Sequence, residues 1–329
     1  MQIELKQFID PKLNLLVDEE RKFYEARRTV AHGKKQPDLT TPDGLQEARN
    51  ARKPSNILTD RQVVKRTVKV GNRQVHLRII APQQGKSRGV YLNISGGGFY
   101  LDETARNDIQ NAQLADALGV IVVSVEYRLA PENPWPAAPD DCATAAHWLI
   151  EQAQPLFGTS RLIIGGTSAG ATLAMTTLLR LRDQKLVTPF VGTVLQFGSY
   201  DLSGQTPGSR LYADEYFIQA YAGRVSDKTQ PDISPLYGNL KGLPPSLMVV
   251  GTADILMEDN FAMAARLSAA GCEVDLRFYP EAPHGFTSHP TKMSAAATHD
   301  IINWLEQRLD ENRIFLFVDK NNIRDEKSK

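Results

Sequence analysis

Along the first stretch of the chain, 1–59, most positions are polar, and the apolar ones recur at helical intervals. Phe8, Leu13, Leu16, Val17 and Phe23 mark an apolar face, which predicts a helix over 9–30, and a second short helix is expected over 42–52. The pattern then changes. Residues 63–70 and 75–80 read as two strands joined by Gly71-Asn72, a turn pair that predicts a β-hairpin. Short β-rich runs follow at 89–94, 120–126, 161–165, 192–197, 247–250 and 274–279. Helical stretches separate them at 107–118, 139–152, 169–183 and 258–270, and a last helix is expected over 292–309. Gly119 stops the first of these. Strands alternating with helices imply an α/β fold: a mainly parallel eight-stranded sheet with helices on both faces.

One segment breaks this rhythm. Residues 203–239 are rich in Gly, Pro and aromatics, with one helix expected over 210–221, and read as an insertion over the C-terminal edge of the sheet. The chain thus divides into an N-terminal helical segment (1–59), a core in two parts (60–202 and 240–312), the insertion (203–239), and a tail (313–329). The tail has a short apolar piece at 314–318 before its charged end.

Composition narrows the function classes. Thirty-eight basic residues balance 38 acidic ones in 329 residues, so no charge excess points to nucleic acid or a membrane surface. The N-terminus lacks the apolar core of a signal peptide, and no run of about 18 apolar residues occurs, so a cytoplasmic protein with no integral membrane segment is expected. Cys142 and Cys272 read as two reduced thiols rather than a disulfide framework. There is no His-Glu-x-x-His, Cys-x-x-Cys or P-loop spacing, so metallohydrolase and nucleotide-binding readings are poor.

The chemistry gathers at strand ends. Gly166-Thr167-Ser168-Ala169-Gly170 follows an apolar strand and opens a helix, the setting of a nucleophile elbow with Ser168 at its apex. A helix N-terminus favours negative charge there. Ser95-Gly96-Gly97-Gly98-Phe99 follows the 89–94 strand, and consecutive glycines leave backbone amides able to converge on a developing oxyanion. The same loop is also compatible with an ordinary strand exit.

A serine hydroxyl needs a base, and imidazole titrates near neutrality. His284, in Ala282-Pro283-His284-Gly285-Phe286 after the 274–279 strand, is the candidate, with His289 its nearest competitor. The other histidines, at 32, 76, 147 and 299, are read as structural. Asp254, directly after the 247–250 strand, is favoured as the acid that orients the base. Glu258 and Asp259 are its rivals, although acidic residues in a first helical turn are common for dipole reasons alone. Phe99, Tyr100, Tyr200, Tyr216 and Phe217 are candidates to line a substrate pocket, or equally to form the core of a cap.

At this point a resemblance can be stated. Glu126-Tyr127-Arg128-Leu129-Ala130-Pro131-Glu132, followed by Pro134-Trp135-Pro136-Ala137-Ala138, resembles a run typical of the hormone-sensitive-lipase-like (family IV) esterases of the α/β-hydrolase superfamily. Asp232-Ile233-Ser234-Pro235-Leu236 with Leu243-Pro244-Pro245 resembles another of its segments. The Thr167 form of the elbow is similar to a recognised subgroup. The likeness covers about 63–309. It implies the α/β-hydrolase fold and a helical cap formed by the N-terminal helices and the insertion. It also implies oxyanion amides from Gly97, Gly98 and Ala169, and hydrolysis of short- to medium-chain acyl esters without metal or cofactor. A homodimer through the sheet edge is a further family expectation. One residue departs from the family pattern: Ser95 stands where the family usually has a His that braces the glycine loop. Two other readings fit the same scaffold, an amide or carbamate hydrolase and a non-catalytic small-molecule binding protein.

Overall fold

A computed structural model of the chain describes residues 8–31, 36–53 and 58–310. The C-terminal tail lies outside the described residues.

The expected helix over 9–30 divides in two. Pro11–Leu16 is a 3₁₀ turn capped by Asp10, and the α-helix proper, α1, is Val17–Ala31. Thr41 caps α2, Pro42–Ala51, by accepting from the Gly44 amide. The hairpin follows as β1, Val64–Val70, and β2, Arg73–Ile80, with Gly71 at φ +60° in the turn. Then come β3 (Val90–Ile94), α3 (Asp108–Leu118), β4 (Ile121–Glu126) and α4 (Ala137–Phe157). Next are β5 (Leu162–Thr167), α5 (Ala169–Asp183) and β6 (Phe190–Gln196). The helix expected over 210–221 is two short ones, α6 (Pro207–Arg210) and α7 (Tyr216–Ala222). The core resumes with β7 (Ser246–Gly251), α8 (Met257–Ala269), β8 (Val274–Tyr279) and α9 (Lys292–Leu309).

The eight strands form one sheet in the order β1-β2-β4-β3-β5-β6-β7-β8. β2 runs antiparallel to both its neighbours, and β4 through β8 are parallel. Successive side chains alternate between two cores, as a period of two requires. Ile164, Leu195 and Met248 face the core under α4, α5 and α8, whereas Ile163, Val194 and Leu247 face the one under α3 and α9. Burying each such side chain contributes roughly 1.5–3 kcal/mol, which is why β3 and β7 carry little that is polar.

Register brings the functional loops to one edge. Ile94 pairs with Gly166, Thr167 with Gln196, Gln196 with Val249, and Gly251 with Tyr279. The glycine loop, the elbow, the Asp254 loop and the His284 loop therefore leave the sheet side by side at the C-terminal ends of their strands, where open α/β sheets carry their sites.

Candidate active site

Ser168 sits between β5 and α5 at φ +53° and ψ −123°, a sparsely populated conformation that costs a non-glycine residue on the order of 1–3 kcal/mol. The flanking glycines make the turn possible. A Cβ on Gly166 would lie 2.3 Å from the Gly170 carbonyl carbon, and one on Gly170 would lie 2.0 Å from the Ile94 carbonyl oxygen. The Ser168 amide donates to the Gln196 carbonyl at 2.9 Å, which pins the apex to β6.

His284 Nε2 lies 3.0 Å from Ser168 Oγ, and its Nδ1 lies 3.0 Å and 3.1 Å from the two Asp254 oxygens. An ionised carboxylate only accepts, so Nδ1 carries the ring proton and Nε2 presents its lone pair to the serine hydroxyl. The Asp254 side chain is fully buried, while that of His284 is 39% exposed at the mouth of the site. Asp254 Oδ1 also accepts from the Leu256 amide at 2.8 Å. The Phe197 ring packs edge-on against the imidazole, 5.2 Å between centroids.

The competing residues have other partners. Asp259 faces the 198–201 loop: its Oδ2 accepts from the Tyr200 and Asp201 amides and from the Tyr212 hydroxyl. Burial pushes its pKa up to about 7. Glu258 accepts from the Gly208 amide at 3.1 Å and so ties α8 to α6. His289 is held by the Tyr24 hydroxyl at 2.7 Å, and burial lowers its pKa.

Gly97 at φ +106° and Gly98 at φ +57° give the glycine loop a course that β-carbons would obstruct. A Cβ on Gly97 would lie 2.4 Å from the Leu101 carbonyl oxygen. The Tyr100 and Leu101 amides both return to the Gly97 carbonyl, at 3.1 and 2.9 Å. The amides of Gly97, Gly98 and Ala169 donate to no protein acceptor among the described residues.

Bracing of this loop comes from three residues whose role sequence reading missed. Tyr127 donates to the Ser95 and Gly96 carbonyls, at 3.0 Å each, and burial keeps its hydroxyl protonated. Thr167 Oγ1 accepts from the Gly96 amide at 3.1 Å. Asn107 Nδ2 donates to Ser95 Oγ at 3.2 Å, so the serine that departs from the family pattern has a partner of its own. Tyr127 and Thr167 lay inside quoted motifs, but only the fold shows what they touch. Asn107 carried no signal beyond its place at the start of a helix.

The five aromatic candidates separate into two groups. Phe99 and Tyr200 have no exposed surface; Phe99 stacks on Tyr221 at 3.9 Å, so these two form core rather than a pocket lining. Tyr100, Tyr216 and Phe217 are half-buried. Tyr100 meets Tyr216 edge-on at 5.1 Å, and Phe217 lies close over Gly98. The insertion that carries Tyr216 and Phe217 is anchored by fully buried Asp201, which accepts from Ser203, Thr206, Ser209 and Tyr237. The two sequence markers meet at Asp232, which accepts from Trp135 Nε1 at 2.8 Å and pairs with Arg180.

Cys142 and Cys272 are free thiols. Among the described residues no helix is long and apolar enough to cross a membrane.

Comparison with known proteins places the fold in a family. Residues 91–288 match the model of a family described as alpha/beta hydrolase fold. The chain is 32% identical over 206 residues to ethyl acetate hydrolase of Pseudomonas putida, an alignment spanning 59% of this chain and 65% of that protein. It is 30% identical over 278 residues to carboxylesterase NlhH of Mycobacterium tuberculosis, spanning 79% of this chain and 87% of that one. A solved structure of a hormone-sensitive lipase from a metagenome library superposes with a TM-score of 0.75 at 27% identity, covering 88% of this chain and 98% of the other. The chain belongs to the α/β-hydrolase fold family and, within it, to the hormone-sensitive-lipase-like serine esterases.

Proposed function

We propose that the protein hydrolyses carboxylic esters of short to medium acyl chain length through Ser168, His284 and Asp254. The observation that carries this reading is the unbroken hydrogen-bond run from Ser168 Oγ through the imidazole to buried Asp254. The ester carbonyl oxygen takes the place facing the amides of Gly97, Gly98 and Ala169. Ser168 Oγ attacks the carbonyl carbon as its proton passes to His284 Nε2. The negative charge that develops on the carbonyl oxygen is met by donors already in position. Asp254 holds the imidazolium. The tetrahedral intermediate collapses: the carbon–oxygen bond to the alcohol breaks, and His284 protonates the departing alcohol. Water then attacks the acyl-enzyme while giving a proton to the same nitrogen. The bond to Ser168 Oγ breaks, the serine recovers its proton, and the carboxylic acid leaves.

Two features support the chain-length part of the reading. Half-buried Tyr100, Tyr216 and Phe217 cluster beside the glycine loop, where bulky rings would limit the length of an acyl group. The relative named for ethyl acetate hydrolysis acts on a two-carbon acyl ester. Ser168→Ala removes the nucleophile and should lower turnover of a short p-nitrophenyl ester by on the order of 10⁶. Retained turnover would sink the assignment. A series of p-nitrophenyl esters of increasing acyl length tests the rest, with kcat/KM expected to fall beyond medium chains.

A further inference from the structure

The N-terminal helical segment reaches the stretch that follows the glycine loop through Arg49. Arg49, on α2, projects its guanidinium between two stretches of core backbone, with 20% of the side chain exposed. Its Nε donates to the Tyr100 carbonyl at 3.0 Å, and its Nη2 donates to the Ala130 carbonyl at 2.9 Å. Both Nη atoms also donate to Glu132, at 2.7 and 2.9 Å, in the fork geometry that only arginine offers.

The two carbonyls are not independent. The Ala130 amide donates to the Phe99 carbonyl at 3.0 Å, so residues 99–100 and 130 already form one rung, and Arg49 closes the next. On its other side the Tyr100 peptide is bonded back to the Gly97 carbonyl. A rotation of the Tyr100 peptide therefore turns Gly97 and Gly98, whose amides face the reacting oxygen.

We propose that Arg49 is a positioning residue for the oxyanion loop, so that helix α2 of the N-terminal segment sets transition-state stabilisation as well as covering the site. This rests on the esterase reading of Ser168 and the glycine loop. Arg49 bonds to no member of the triad and acts through the carbonyls of Tyr100 and Ala130. Without it, two partly buried carbonyls lose their charged donor, and the loop is left to Tyr127, Thr167 and Asn107 at its other end. Misplacement of reacting groups by about 1 Å costs on the order of 10²-fold in rate.

The test compares Arg49→Met, which keeps the stem and loses the donors, with Arg49→Lys, which keeps the charge and one donor site. Arg52→Met is the control: exposed Arg52 sits on the same surface of the core and pairs with half-buried Glu103 without donating to either loop carbonyl. Active-site labelling with a fluorophosphonate normalises each kcat to the folded fraction. The second readout is inhibition by a trifluoromethyl ketone, whose serine adduct places an oxyanion among the three amides. Arg49→Met should lose about 10- to 100-fold in kcat with KM within about twofold, and ketone affinity should fall by the same factor as kcat/KM. Arg49→Lys should recover part of both, and Arg52→Met should retain both. The proposal is overturned if normalised kcat and ketone affinity are unchanged in Arg49→Met. It is also overturned if Arg52→Met loses as much as Arg49→Met, because the effect would then be general docking of α2. Failure of the underlying esterase reading looks different: Ser168→Ala would stay active and the ketone would not inhibit wild type.

Discussion

The two halves of the candidate site are held in different ways. On the acid–base side, the loops after β7 and β8 brace each other over short distances. The Thr252 amide donates to the Tyr279 carbonyl, the Ala253 amide to the Ala282 carbonyl, and the Glu281 amide to Thr252 Oγ1. Gly251 lets them approach, since a Cβ there would lie 1.9 Å from the Ala282 carbonyl oxygen. On the oxyanion side, the glycine loop has little of its own. It is held by Tyr127, Thr167, Asn107 and, through Tyr100, by Arg49, side chains from four separate parts of the chain. A general base needs one orientation, which neighbouring loops can fix. The proposed oxyanion amides need a backbone fixed from several directions.

The comparison predicts unequal sensitivities. The largest effect belongs to the acid: Asp254→Asn keeps the shape but offers His284 a donor where an acceptor is needed. It should lower kcat by on the order of 10⁴ without unfolding the protein, as steady-state kinetics and circular dichroism would check. Tyr127→Phe strips one hydroxyl that serves two loop carbonyls and should lower kcat by roughly 10- to 50-fold, less than removal of a whole oxyanion donor, with KM little changed. An equal loss from Tyr127→Phe and Asp254→Asn would break the distinction between the two sides.

The smallest effect concerns a carboxylate that resembles the acid in sequence and does different work. Asp259 has its pKa pushed up to about 7 by burial, against an ordinary value of 3.8. Between those values the unfolded chain has released a proton that the folded chain still holds, so stability declines as pH rises from about 4 to about 7. Asp259→Asn has no proton to release and retains an acceptor for Tyr200, Asp201 and Tyr212. Its melting temperature relative to wild type should climb across that window by roughly a few degrees, with little change in kcat. A pH-independent difference would show that burial of this carboxylate is not what sets its titration.

Legibility in the sequence follows the range of the interactions. The elbow is marked by glycines two positions either side of Ser168. The hairpin and the alternation of strands and helices are likewise local patterns. The sequence of the insertion reads as holding one helix over 210–221. Instead, Thr206 and Pro207 start a single turn, Tyr212 turns inward to Asp201 and Asp259, and a second helix begins at Tyr216. Arg49 was invisible for a different reason: the acceptors through which it acts on the loop are backbone carbonyls 51 and 81 residues away, and a carbonyl has no letter in the sequence. Ser95 could be marked as a departure, but its partner Asn107 could not be named before β3 and α3 were packed together.

The lack of clearance around Gly166 and Gly170 has a practical corollary for directed evolution. A library randomised at these positions would consist almost wholly of proteins with a displaced apex, since every other amino acid drives a carbon into main-chain atoms that belong to the sheet and to α5. Diversity aimed at new substrates belongs at the candidate lining residues Tyr216 and Phe217, half-buried side chains that can change size without moving the peptide that carries Ser168.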